Sequence, residues 1–160
     1  MAKTHKTNAA RLLDRAGVDY GLIPYEVDED DLSATHLAAV LGLDENQIFK
    51  TLVLSGDKSG HFVCIVPGGA ELDLKRAARI SGNKGCSLIA MKDLLPLTGY
   101  MRGGCSPVGM KKAFPTYLDS HAMQYPLIYV SAGQRGLQFR LAPQELARVT
   151  GAVVGDLVQG

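Results

Sequence analysis

The chain has 160 residues, 46% of them hydrophobic, which is enough to bury one core without disulfides or metals and predicts a single domain over residues 1–160. No run approaches the roughly 20 apolar residues of a membrane span, and the first eight residues lack the apolar core of a signal peptide, so we expect a cytoplasmic protein. The net charge of +1 conceals an asymmetry: residues 1–56 hold nine acidic and five basic side chains (−4), and residues 57–160 hold seven and twelve (+5).

Hydrophobic periodicity, cap residues and turn residues predict the elements of the fold. Helices are expected at 7–16, 33–42, 73–80 and 143–150, and strands at 20–27, 49–54, 61–66, 86–90, 117–119, 126–130 and 137–141. Because proline cannot donate a hydrogen bond within a sheet, Pro24 predicts that the first strand lies at a sheet edge or is bulged. The turn residues at 55–60 predict that the strands 49–54 and 61–66 form a hairpin, the clearest in the chain. Because regular crossover helices do not separate the strands, we predict a mixed α/β fold with a partly barrel-like sheet and peripheral helices.

Lys50 is the most informative residue, because it places a cation in a run, residues 46–54, that otherwise has the pattern of a half-buried strand. A lysine on the solvent face of a sheet is the more common explanation for such a residue. Two glycine-rich segments, 98–109 and 129–136, shift that balance, since glycine lets the backbone come close to a small polar ligand. The combination favours a binding site, although each glycine alone is more often a turn residue.

The basic second half predicts an anionic partner, since clustered Lys and Arg supply the sequence-independent part of nucleic-acid affinity. The candidate residues are Arg76, Arg79, Lys84, Lys92, Arg102, Lys111 and Lys112. The alternative is that they are ordinary solvated charges, because aromatic residues are not interleaved with them.

Several familiar chemistries are excluded by missing patterns. The chain has no G-x-S-x-G nucleophile turn, no H-E-x-x-H metal motif, and no Walker or dinucleotide-binding loop, so we expect no metal and no cofactor. The spacing of Cys64, Cys86 and Cys105 fits neither a zinc site nor a redox pair, which predicts free thiols. Cys105 alone lies in a plausible site, and there a role as nucleophile is the less favoured interpretation.

An ordered set of motifs extends over nearly the whole chain: KTNAARLL at 6–13, YE at 25–26, FKTL at 49–52, LDLK at 72–75, GGCSPVGMKK at 103–112 and VSAGQRG at 130–136. The set resembles the YbaK-type prolyl-tRNA editing family, freestanding counterparts of the editing domain of bacterial prolyl-tRNA synthetases. The resemblance implies a mixed α/β fold with a small pocket and, in the most similar branch, removal of cysteine mischarged on tRNA(Pro), with Cys-tRNA(Cys) as a further substrate. It also implies an aminoacyl-tRNA partner, with prolyl-tRNA synthetase as a second partner, and neither DNA nor membrane.

The resemblance implies a mechanism in which the substrate's own thiol attacks its ester carbonyl. Lys50 matches the family's functional lysine. The family's substrate-binding positions correspond to Tyr25, Gly103, Gly104, Ser106, Ser131 and Gly133. The residues expected to contact tRNA are Arg76, Arg79, Lys84, Arg102, Lys111 and Lys112. Two departures affect the preference for an amino acid. Gln138 replaces an aspartate of the cysteine-specific members, and the loop between Val27 and His36 lacks an expected aromatic residue.

Two alternatives remain open at this stage. A relative of the same class would remove alanine or another small residue by attack of water. A protein of another class would be a non-catalytic adaptor that binds tRNA or a synthetase through its basic face.

Overall fold

A computed structural model of the protein describes residues 6–159, so the first five residues of the predicted polar opening lie outside the described part. The helices are α1 (Asn8–Arg15), α2 (Ala34–Leu41), α3 (Leu74–Ile80), α4 (Met91–Thr98) and α5 (Pro143–Thr150). The strands are β1 (Tyr20–Pro24), β2 (Phe49–Gly56), β3 (Gly60–Pro67), β4 (Cys86–Leu88), β5 (Thr116–Asp119), β6 (Ile128–Gln134), β7 (Leu137–Leu141) and β8 (Val153–Gly155). Short 3₁₀ helices occupy Glu45–Gln47 and Ser120–Gln124.

Local capping explains why the predicted helices begin where they do. The hydroxyl of Thr7 accepts a hydrogen bond from the backbone N–H of Ala10, and that of Ser33 accepts one from His36. The carboxylate of Asp73 accepts bonds from Lys75 and Arg76 at the start of α3. These side chains satisfy N–H groups that have no partner within the helix, and the predicted starts are confirmed.

The strands form two sheets, of order β1-β7-β6 and β4-β2-β3-β5-β8. Pairing is antiparallel except for β3–β5 and β5–β8, so the predicted mixed sheet, the 49–66 hairpin and the edge position of β1 are confirmed. The partly barrel-like closure was wrong, because β1, β6, β4 and β8 remain sheet edges among residues 6–159. The two sheets meet at one isolated bridge, between Ile48 and Tyr129.

Among the described α-helices and strands, α4 and β8 were not predicted from the sequence. Pro96 lies inside α4, and Ala90 at its N-cap makes no side-chain capping bond, so the usual start and interior signals of a helix are absent. β8 has three residues, two of them exposed, and its pattern is too short to identify.

The core lies between the sheets and fixes β2 firmly. Val53 of β2 and Ile65 of β3 pack in the same cluster as Val130 and Phe139 of the small sheet. The other face of the hairpin packs against α3, so residues 62–67 are buried on both sides. The strand that carries Lys50 is therefore held by its neighbours. Within residues 6–159, every helix is too short or too polar to cross a membrane.

Candidate functional site

A cavity of about 590 Å³ opens beside β2. Its walls come from β2, the ends of β4 and α4, the paired strands β6 and β7, the start of α2, and the loops at residues 25–33 and 102–105. This volume lies in the ordinary range of pockets that enclose small molecules. The lining is largely apolar and includes a few polar groups, which are the candidates for orienting a ligand.

Lys50 lines the cavity, as its position in the sequence suggested. Its Nζ donates hydrogen bonds to the carbonyl oxygens of Ala70, at 2.9 Å, and Gly68, at 3.4 Å. Burial lowers the pKa of Lys50, and the nearby Glu71 carboxylate partly opposes that shift. Because an ammonium has three N–H donors, one remains for a ligand after both carbonyls are satisfied. Lys50 therefore joins the loop at 68–70 to the cavity wall.

The other predicted substrate-binding residues divide into two groups. Tyr25, Gly103 and Ser131 line the cavity together with Lys50. Gly104, Ser106 and Gly133 lie outside its lining. The structure thus brings together four of the seven residues predicted for catalysis and substrate binding.

The three residues outside the lining have packing partners. A Cβ on Gly104 would lie 2.9 Å from the backbone N of Arg135, and a Cβ on Gly133, which has φ +103°, would lie 3.0 Å from the Tyr100 ring. The hydroxyl of the buried Ser106 accepts a hydrogen bond from the backbone N–H of Val108 at 3.2 Å. These positions support the loops around the cavity and present no group to it.

The turn at residues 135–136, between β6 and β7, holds both loops at the cavity mouth. The backbone N–H of Tyr25 donates to the carbonyl of Gly136 at 3.0 Å. Arg135 Nε donates to the carbonyl of Arg102 at 2.8 Å, and its guanidinium pairs with Glu29. One arginine therefore connects the acidic loop at 28–31 with the glycine loop at 102–105.

Two buried side-chain oxygens that belong to lining residues have no hydrogen-bond partner among residues 6–159. They are Thr51 Oγ1 and Gln138 Oε1. Gln138 is 4% exposed and pairs in register with Ser131 across β6 and β7. Buried polar atoms without partners are costly, so these two oxygens lower the stability of the free protein. Thr51 was not singled out from the sequence, because its apolar neighbours give a threonine no distinguishing pattern.

Cys105 lines the cavity together with Lys50. Burial raises the pKa of its thiol to about 11, against a smaller opposing effect from a hydrogen bond with Thr98. The nucleophilic form of cysteine is the thiolate, and burial in apolar surroundings disfavours it. Cys105 is thus a neutral thiol near pH 7 and poorly suited to attack an ester.

Charged side chains of both signs lie at the mouth of the cavity. Asp28, Asp31 and Arg102 are exposed residues that line it. His36, in the first turn of α2, lies 3.9 Å from an Asp31 oxygen and also lines the cavity. Neither aspartate was predicted from the sequence, since an acidic loop is more often solvated surface. A ligand that carries both signs of charge would find complementary groups at the mouth.

The basic residues predicted to contact tRNA lie on two parts of the surface. Arg76 and Arg79 belong to α3, where Arg76 is bonded to the carbonyl of Val158, and Lys84 precedes β4. Lys111 and Lys112 are exposed residues that follow α4 and the glycine loop, and the backbone N–H of Lys111 donates to the carbonyl of Thr98, the last residue of α4. Of the six, Arg102 alone lines the cavity. The described residues contain no cluster of three His, Cys, Asp or Glu side chains that could hold a metal ion.

The fold and sequence are similar to those of known proteins. The sequence model of the aminoacyl-tRNA editing domain family matches residues 28–149. A proposed Cys-tRNA(Pro)/Cys-tRNA(Cys) deacylase of Enterococcus faecalis, EbsC, is 48% identical over 152 residues, which are 95% of this chain and 93% of that protein.

Solved structures agree with this result. The crystal structure of a proposed trans-editing enzyme for prolyl tRNA synthetase is 31% identical, with a TM-score of 0.81 over 98% of this chain and 100% of that one. A crystallised hypothetical protein is 25% identical, with a TM-score of 0.85 over 93% of this chain and 97% of that one.

Thr51→Val should stabilise the free protein, because it replaces a buried hydroxyl that has no partner within residues 6–159 by a methyl group of the same shape. We expect the free energy of unfolding in urea to rise by about 1 kcal/mol. Thr116→Val is the matched control, since the hydroxyl of Thr116 donates to the carbonyl of Phe114 at 3.0 Å and its loss should lower that free energy. Equal destabilisation by both substitutions would contradict the assignment of Thr51 as an unsatisfied acceptor.

Proposed function

This chain belongs to the aminoacyl-tRNA editing domain family, and we propose that it is a trans-editing deacylase that removes cysteine mischarged on tRNA(Pro), with Cys-tRNA(Cys) as a further substrate. Residues 1–160 act as one editing domain in the cytoplasm, where tRNA is charged. The observation that carries the proposal is a small cavity that is lined by a lysine with a remaining donor and by a neutral thiol. The similarity to EbsC supports the choice of amino acid.

A second site for cysteine follows from the limits of binding selectivity. A synthetase pocket for proline cannot strongly reject an amino acid of nearly the same size, because small apolar differences contribute only about 1–3 kcal/mol. A separate protein that recognises the mischarged ester can then remove the error.

The proposed reaction uses the nucleophile that the substrate brings. The cysteine thiolate attacks its own ester carbonyl, a carbon–sulfur bond forms, and the carbon–oxygen bond to the tRNA ribose breaks. The ribose oxygen leaves as a hydroxyl after taking a proton, and the amino acid leaves as a cyclic thioester. The protein contributes proximity and electrostatic stabilisation, and the raised pKa of Cys105 is consistent with a protein that supplies no attacking thiol.

Each lining residue has a role that its chemistry permits. Lys50 directs its remaining N–H donor at the oxygen that gains negative charge, and the backbone at Gly103 lets the ester come close. The Asp28 and Asp31 carboxylates at the mouth favour the positive charge of the substrate's α-ammonium. Tyr25 and Ser131 complete the wall. Arg76, Arg79, Lys84, Arg102, Lys111 and Lys112 attract the tRNA backbone, with prolyl-tRNA synthetase as a partner that delivers it.

A comparison of amino acids on the same tRNA tests this function. We expect rapid deacylation of Cys-tRNA(Pro) and very slow deacylation of Ser-tRNA(Pro) and Ala-tRNA(Pro), because a hydroxyl is a far weaker nucleophile than a thiol and alanine has none. The Cys-tRNA rate should also rise with pH until the substrate thiol is ionised. Equal turnover of the serine and cysteine esters would mean that water attacks directly, and binding without any deacylation would mean an adaptor.

Lys50→Ala and Lys50→Arg should each reduce kcat by about 100-fold, the effect of losing one well-placed donor to a developing oxyanion. The planar guanidinium cannot replace the compact ammonium between the carbonyls of Gly68 and Ala70. Lys58→Ala is the control, because Lys58 is exposed in the turn between β2 and β3. Single-turnover rates should be compared together with the thermal melting temperature, and a Lys50→Arg rate equal to that of the wild type would contradict the proposed role.

A further inference from the structure

An exposed apolar surface begins at the mouth of the cavity. Leu88, Met91 and Leu95, here called the α4 face, are 54%, 59% and 53% exposed. Leu88 and Met91 also line the cavity, so the surface is continuous with the candidate site. Exposed clusters of large apolar side chains are uncommon on a protein surface and often mark a contact with a partner.

The arrangement of α4 explains why these side chains face outward. Leu94 and Thr98 lie one turn apart on the inner side of the helix, where Leu94 packs against the core and Thr98 is buried. Met91 and Leu95 are also one turn apart, on the outer side. The inner side is sufficient to hold α4 in place, so the fold does not require large apolar residues at the outer positions.

Charge around the mouth selects one kind of occupant. Lys92 is exposed on α4, Lys111 is bonded through its backbone N–H to the end of the same helix, and Arg102 lines the mouth. Asp93 is an acidic exception in the first turn of α4. Asp28 and Asp31 also line the mouth and would repel an anionic chain. A polyanion attached to a ligand in the cavity is therefore favoured over α4, where the lysines lie, and disfavoured beside these two aspartates.

We propose that the α4 face binds the single-stranded 3′ end of the aminoacyl-tRNA, an inference that rests on the proposed function. The terminal nucleoside lies at Leu88 and Met91, and the preceding nucleotides pass over Leu95 towards Lys92 and Lys111. Unpaired bases offer apolar faces that pack on exposed side chains, and flexible methionine adapts to any base. The lysines neutralise the phosphates between those bases.

The test compares Cys-tRNA(Pro) with cysteinyl-adenosine, which carries the same ester and no further nucleotides. For Leu95→Ser we expect kcat/KM for Cys-tRNA(Pro) to fall by a factor at least about fivefold larger than the fall in kcat/KM for cysteinyl-adenosine. This is the effect of losing the contact with one base. For Lys92→Gln and for Lys111→Gln, we expect the negative slope of log kcat/KM against log salt concentration to become shallower by about 0.7, the value for one phosphate contact on a single strand. The controls are Val153→Ser and Lys58→Gln, exposed residues outside the cavity lining and outside α4.

The possible outcomes separate this inference from the proposed function. If the wild type cleaves neither ester, the proposed function fails. If it cleaves both and the variants lose the same factor on each, or match the controls, the α4 face does not bind RNA. An effect that occurs only when prolyl-tRNA synthetase is added would assign the surface to that protein. A concentration-dependent change of oligomeric state caused by Leu95→Ser would assign the α4 face to a second copy of the chain. Either of these last two results would overturn the proposal.

Discussion

The two-residue turn between β6 and β7 is the constraint on which the cavity depends. Through Arg135 and Gly136 it holds the loop at 25–33 by Glu29 and Tyr25, and the glycine loop by the carbonyl of Arg102. Gly104 must lack a side chain because its Cα approaches the backbone of that turn. The bulge between Ser131 and Gln134 brings the turn into this position, so two loops far apart in the sequence close one pocket.

The chemistry of the cavity is consistent with a protein that positions a reactive substrate and adds no nucleophile of its own. Its lysine is partly occupied by two carbonyls, and its thiol is kept neutral by burial. The unsatisfied oxygens of Thr51 and Gln138 cost stability in the free protein.

The sequence predicted the features that depend on local rules and missed those that depend on tertiary contacts. Caps at Thr7, Ser33 and Asp73 and the hairpin turn were predictable because each acts over a few residues. The helix α4 was missed because the packing of Leu94 and Thr98 stabilises it, whereas a capping side chain, which the sequence would have shown, is absent. The sequence does not show which glycines of the motifs line the cavity and which pack against other residues. Gly103 and Gly104 are adjacent in one motif, yet Gly103 lines the cavity and Gly104 does not.

The most direct measurement of the central claim uses S-methylcysteinyl-tRNA(Pro), in which the thiol is blocked and the rest of the substrate is unchanged. One methyl group fits within a cavity of about 590 Å³, so we expect binding to remain close to that of Cys-tRNA(Pro). Single-turnover deacylation should fall to the spontaneous rate, because no nucleophile remains in the site. Cleavage of the methylated ester at the rate of Cys-tRNA(Pro) would contradict the claim that the substrate supplies the attacking group.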